Sequence, residues 1–231
     1  MEKAGAMRIA LLSLGVLSLL FLTVAFFAPG WMVFDMSMNT TELRLSESTK
    51  MGLWVISACV NLAASGEGEI CKTITMDQLE QSMSSSGNPA SKAFLGNMMP
   101  IQGLMVCGML AAVIAFVLLV IIVRQSGSAN VNNKNKGIVC AILWAIAAIL
   151  VISAVGAEGH QNTNMKHSVD LVQTMMGPSE GFKMDIKFPY AILIAAFSAV
   201  FSALLCVVLA IQLCKPPEGP GYWNHFTNQP V

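Results

Sequence analysis

Charge is what this sequence has least of. Only 11% of its 231 residues are Asp, Glu, Lys or Arg, against about 25% in an average soluble domain. The few charges also cancel, with 13 Lys and Arg against 13 Asp and Glu. Phosphate binding needs a basic surplus, so nucleic acid is excluded as a partner. The four longest apolar runs contain no Asp, Glu, Lys, Arg or His at all. A charge at mid-membrane marks an ion path or a proton relay, and its absence leaves a single subunit without a charged pathway. Motifs of chemistry are missing too. There is no Gly-x-Ser-x-Gly, no Gly-rich phosphate loop, and Glu158, His160 and His167 match no zinc spacing. These last three read as solvated loop residues. The expectation is a protein with no catalytic residues, no cofactor and no metal, and not an enzyme.

What is present is hydrophobic: 55% of the chain. Runs 9–28, 104–123, 137–157 and 189–213 each approach the roughly 20 apolar residues that cross a bilayer. The first follows a short charged segment, Met1–Arg8, and has two readings. As a signal peptide it is too long, and Ala25-Phe26-Phe27-Ala28 is not a small-x-small cleavage pattern, so a retained helix is expected. No Met-Gly start or terminal prenylation box accompanies it.

The intervening segments set orientation. Segment 124–136 carries Arg124, Lys134 and Lys136 without an acid, while 29–103 carries seven acids and four bases and 158–188 carries four and three. Positive-inside reasoning puts 124–136 and both termini in the cytosol and the two longer loops outside. The sequon at Asn39 falls in the outer loop, where it is a glycosylation candidate or an unused triplet. Trp31–Ser37, Thr41–Ser46, Leu53–Val60 and Glu69–Thr75 are strand-like, with turns at Asn39-Thr40 and Ser65–Gly68. They predict an antiparallel sheet of about four strands, with a short helical piece at Met76–Met83. Phe182–Phe188 alternates cleanly and is a candidate fifth strand. Helix three is expected to run on towards the middle of the second loop, and Pro189 to open the last helix.

Of six cysteines, only Cys59 and Cys71 fall in an outer segment, where oxidation is expected. Their bridge would pin a hairpin, a constraint worth about 3 kcal/mol on the chain-entropy account; two free thiols are the other reading. Cys107 and Cys206 read as small buried groups. Cys214, at the cytosolic edge, is either a palmitoylation site or an unmodified thiol. Ala191, Ala195, Ala199 and Ala203 recur every fourth residue, and Ala141, Ala145 and Ala148 make a similar row. Small rows let helices approach closely, within the bundle or at a subunit contact. Met32, Val33, Phe34 and Met36, with Met98-Met99, Met175-Met176 and Phe182, either contact a partner, pack under the sheet or sit at the lipid interface. The tail 214–231, rich in Pro and Gly, is too short for a domain.

Trp31 after Pro29-Gly30, then Gly52-Leu53-Trp54, then Cys59 and Cys71, all lie in the first outer loop of a four-run chain. The combination resembles the claudin superfamily, which groups claudins, peripheral myelin protein and channel γ-subunits. Gly181–Phe188 before the last run is similar to the claudin second-loop strand, and the likeness covers the whole chain, 1–231. Four residues separate Trp54 from Cys59 where claudins usually have two, which points to a divergent claudin-like member. The resemblance implies a four-helix transmembrane bundle with a small extracellular β-sheet and cytosolic termini. It also implies a plasma-membrane location at cell–cell junctions. Copies would assemble side by side and across cells, with themselves or with related claudin-like proteins, as a paracellular barrier or pore. Asp35, Glu42 and Glu47 are candidate pore-lining or contact residues that would favour cations, or an ordinary solvated strand face. The terminal Val231 suggests a PDZ scaffold. The alternative is an auxiliary subunit that modulates an ion channel or receptor through its helices.

Overall fold

The computed structural model describes residues 2–39, 44–62, 69–79, 81, 89–125, 132–176 and 182–214. Helices α1 (Glu2–Phe27), α2 (Pro89–Gln125), α3 (Asn132–Met176) and α4 (Tyr190–Cys214) carry most of the chain. Strands β1 (Met32–Asn39), β2 (Arg44–Met51), β3 (Val55–Leu62), β4 (Ile70–Thr75) and β5 (Phe182–Lys187) form one antiparallel sheet. Each helix holds a stretch long and apolar enough to cross a membrane: Ala6–Phe27, Met98–Gln125, Asn135–Leu171 and Tyr190–Cys214. These stretches are compatible with a multi-pass membrane protein. The chain divides into two compact units, with the boundaries at 23/24, 103/104, 153/154 and 194/195.

The first unit is helical. Its contacts close a ring: Gly15 of α1 lies against Phe116 and Leu119 of α2, and Gly108 of α2 against Leu150 and Val151 of α3. Gly137 of α3 meets Leu213 of α4. Between α4 and α1, Phe21 packs on Phe197 and Phe201, with ring centroids 6.0 and 5.6 Å apart. Many of the residues inside are small: Ala112, Ala115, Ala141, Ala148, Ala195 and Ala199 are buried around the larger Leu22, Leu119, Trp144 and Leu205, whereas Ile142, Ile149, Val200 and Val207 are exposed. Small-inside, large-outside is the arrangement lipid favours, since apolar side chains lose nothing by facing acyl chains and close packing draws helices together. Much of each alanine row is thus consumed inside this chain. Cys140 is buried and its Sγ donates to the Ala115 carbonyl at 3.4 Å. Cys107, expected inside, is exposed instead, and Cys206 is half-buried.

The second unit holds the sheet, in the order β4-β3-β2-β1-β5. The candidate fifth strand is present and pairs with β1, from Val33 with Lys187 to Met38 with Phe182. Several boundaries differ from the sequence expectation. Strand β2 runs to Met51 and β3 starts at Val55, so Gly52-Leu53-Trp54 is a connection and not part of a strand. Helix α2 begins at Pro89, well before 104, with Pro100 inside it; Ser91, Lys92, Asn97 and Gln102 interrupt the apolar run before 104. Helix α3 continues to Met176, past the middle of the expected loop. Pro189 stands one residue before α4. Thr41, Glu42 and the tail 215–231, with the terminal Val231, lie outside the described residues.

A buried serine cluster joins α1 to α4. Ser18 Oγ lies 2.8 Å from Ser202 Oγ and donates to the Ser198 carbonyl at 3.2 Å, while Ser198 Oγ donates to the Ser18 carbonyl at 3.0 Å. Hydrogen bonds between membrane helices average about 0.6 kcal/mol. Ser18→Ala is therefore expected to lower unfolding stability in detergent by roughly that amount, and Ser18→Leu by clearly more because the site is fully buried. Equal stability of Ser18→Leu and the parent would contradict this packing.

Candidate functional site: the sheet and its joint

The residues that carry the family resemblance converge on one joint in the second unit. Trp31 is fully buried. Its backbone N donates to the Met51 carbonyl at 2.9 Å, its Nε1 to the Ala25 carbonyl at 2.7 Å, and its own carbonyl accepts from Asn162 Nδ2 at 3.1 Å. Truncating a buried aromatic costs about 3–5 kcal/mol and a hydrogen bond about 1, so indole packing outweighs any one of these bonds. Gly30 has no room for a side chain: a Cβ there would fall within the ring of Tyr190. That ring is held by its hydroxyl, which donates to the Pro29 carbonyl at 2.7 Å, while Ala191 N donates to the Gly30 carbonyl at 3.0 Å.

Gly52 closes the same joint from β2. A Cβ there would lie 3.0 Å from the Ala28 carbonyl and 3.1 Å from Pro29 Cα. Leu53 is buried, and its carbonyl accepts from Gln102 Nε2 of α2 at 2.5 Å. Trp54 is half-buried with its ring 5.1 Å from Phe26 at the end of α1. Its carbonyl accepts from Met76 N at 3.0 Å, where 76–79 is helical. Pro-Gly-Trp and Gly-Leu-Trp are thus two halves of one joint, each needing a glycine: Gly30 because the Tyr190 ring lies against it, Gly52 because backbone passes backbone closely.

Strand parity sorts the sheet into two faces. Register pairs Met36 with Glu47 and Asp35 with Ser48, so Asp35 and Glu47 stand on opposite faces. Glu47 shares its face with Met32, Met51, Ile56 and Met184, and accepts from Thr49 Oγ1 at 3.2 Å. Asp35 lies on the polar face, opposite Asp185, and pairs with Lys187. Lys50 and Lys183 share that face by register. The described acids therefore do not line one surface together, and Asp35 is neutralised by a strand neighbour. Glu42, and the side chain of Asn39 at the end of β1, lie outside the described residues.

Cys59 and Cys71 stand directly opposite on β3 and β4 and are joined as a disulfide. Glu69 lies beside them, its carboxylate and the two sulfurs all within 4.8 Å of one another. Sulfurs bonded to each other offer no thiolate, so this cluster is not a metal centre. Strand β4 is exposed at every residue but Ile74, a sheet edge held by the bridge. At the opposite edge, Gln173 of α3 donates to the Met184 carbonyl of β5 at 2.6 Å.

The apolar contact candidates divide. Met32, Val33 and Met98 are buried, Phe34 and Met36 half-buried, and Met99 exposed. The side chains of Met175, Met176 and Phe182 lie outside the described residues. Glu158 is a correction. Read as a solvated loop residue, it is completely buried on α3, as is Asn162 one turn later. The signal was available: Ala147, Val151, Ala154, Glu158 and Asn162 continue a single helical row of buried positions. His160 and His167 are exposed, and His160 Nε2 lies 3.0 Å from Asn164 Nδ2. Cys214 is exposed at the end of α4.

Two measurements test this arrangement. Gly30→Ala is expected to cost about 1–3 kcal/mol by overpacking. Combined with Tyr190→Ala it should cost less than the two separately, because the clash is then gone; strict additivity would refute the contact. The Lys187 ammonium bonded to Asp35, aided by Ser48 and Lys50 and opposed by partial burial, holds the carboxyl below its ordinary 3.8. The pair's contribution is therefore complete above the ordinary carboxylate range and is lost as pH falls through the lowered value. Acid titration of the sheet's dichroism should show this loss in the parent, and Asp35→Asn should remove that component.

Compared with known proteins, the chain matches no family model and no curated sequence.

Proposed function

We propose that this chain is a claudin-like integral membrane protein of cell–cell contacts. Its four apolar helices hold the sheet outside the plasma membrane, with both termini in the cytosol. Copies assemble side by side and across cells to form or regulate a paracellular barrier or pore. The observation that supports this best is β4: a sheet edge fastened to β3 by the Cys59–Cys71 bridge, yet exposed along almost its whole length. Rigid and unshielded, such an edge suits recognition of another protein surface. The motif residues at the joint explain how the sheet is kept stiff enough to present it.

A barrier fits this sheet better than a cation pore. By register, Lys50, Lys183 and Lys187 share the polar face with Asp35 and Asp185, and one of the acids is already paired. The auxiliary-subunit reading rests on helix rows open to a partner, and Ala141, Ala148, Ala195 and Ala199 are buried within the chain. It retains the exposed face of α3 that carries Ile142, Ile149 and Ile152.

A tagged protein expressed in a contacting cell layer should concentrate at borders between two expressing cells and not at borders with non-expressing ones. Uniform surface staining would sink the adhesion reading. Copurification with a channel without border enrichment would put the auxiliary-subunit reading first.

A further inference from the structure

Glu158 and Asn162 face each other one turn apart on α3, Glu158 wholly buried and Asn162 8% exposed. The Asn162 amide supplies the only donors between them. Its Nδ2 donates to the Trp31 carbonyl at 3.1 Å and approaches Glu158 Oε1 at 3.5 Å. Both N–H groups are thereby committed. Two buried oxygens are left over, Glu158 Oε2 and Asn162 Oδ1, neither with a partner. The shortage is of donors alone.

No described charged group supplies one. On α3, His160, Lys166, His167 and Asp170 are exposed. On β1 and β5, Asp35 and Lys187 hold each other, and Lys183 and Asp185 are exposed. On β2, Lys50 is exposed and Glu47 accepts from Thr49. At the start of α4, the Tyr190 hydroxyl is given to Pro29. An ionised carboxylate here would be a buried charge without a counter-charge, the costliest state for such a group.

One hydrogen resolves both vacancies. A proton on Oε2 makes that oxygen a donor towards Oδ1, while Nδ2–H reaches back to Oε1. Carboxylic acid and amide then pair through both of their ends in a closed ring. The second amide hydrogen remains on the Trp31 carbonyl, where it is already placed. We propose that Glu158 is a proton-binding site: it carries a proton in the folded protein, and the resulting acid–amide pair fixes Asn162 on the carbonyl that opens β1. The inference stands apart from the contact function and would survive its failure.

In the unfolded chain Glu158 meets water and releases its proton in the ordinary carboxylate range. Folding at neutral pH then takes up one proton, so stability falls as pH rises, by up to about tenfold in the folding equilibrium per pH unit. Glu158→Gln keeps a neutral group with an N–H in place of the O–H. The full-length protein in detergent micelles is expected to show the infrared C=O stretch of a protonated carboxyl at neutral pH. Glu158→Gln should lose that band, stay folded and flatten the pH slope. Glu158→Ala should lose the band and also release Trp31, read as a red shift in its fluorescence when both forms are compared in a Trp54→Phe, Trp144→Phe, Trp223→Phe background, where Trp31 is the one tryptophan left. Absence of the protonated band, or equal pH slopes in the parent and Glu158→Gln, would overturn the proposal. So would stabilisation of the parent by sodium or potassium at constant ionic strength that Glu158→Gln lacks, because the missing donor would then be a cation.

Discussion

Backbone at the start of β1 has to be satisfied on all sides at once, and Trp31 is where that happens. Its N–H goes to β2, its indole N–H to the last turn of α1, and its carbonyl to α3. Three elements are tied to one residue, one of them more than a hundred residues away in sequence, and the residue has no exposed surface. Buried backbone groups without partners are expensive, so moving any of the three elements orphans a polar group. The glycines on either side follow from this: with Trp31 fixed, Gly30 must admit Tyr190 and Gly52 must pass Pro29.

The sheet inherits its two characters from that anchor. Once Met32 is directed inward, alternation dictates the face of every residue through Met38, and register carries the assignment across to β2, β3, β4 and β5. Methionines and isoleucines fall on one face, while the lysines at 50, 183 and 187, with Asp35 and Asp185, fall on the other. Lys72 and Glu47 are exceptions on the apolar side. The charge of the polar face is thus a property of pairing and not of the loop's acidic composition.

Much of this was legible in the sequence, and the reasons differ by element. Four helices follow from run length, because an apolar run of about 20 residues is twice what a spanning strand needs and satisfies its backbone internally only as a helix. The fifth strand follows from the alternation of Phe182–Phe188 between the Gly177-Pro178 pair and Pro189 in the sequence. Strand ends around Gly52-Leu53-Trp54 were misplaced because apolar content cannot separate a buried connection from a strand. The first turns of α2 escape a reading by run length because Ser91, Lys92, Gly96 and Asn97 interrupt the apolar residues and Pro100 reads as a break. Acids at 35 and 47 looked alike in a list, and only pairing places them on opposite faces. Glu158 sat among Gly, His, Gln and Asn, which reads as solvent-facing unless the buried row of α3 is extended past the apolar run.

The joint also imposes an order on synthesis. Gly30, Pro29 and β1 are made early, yet their partners Tyr190, Ala191 and β5 come about 160 residues later. Until β5 is made, β1 has one unpaired edge, and until Tyr190 follows it the space over Gly30 is empty. The first four strands can pair and oxidise beforehand, but the unit that holds Trp31 cannot close. A chain that ends before the last helix therefore keeps the residues of its disulfide and lacks the ring that locks Gly30.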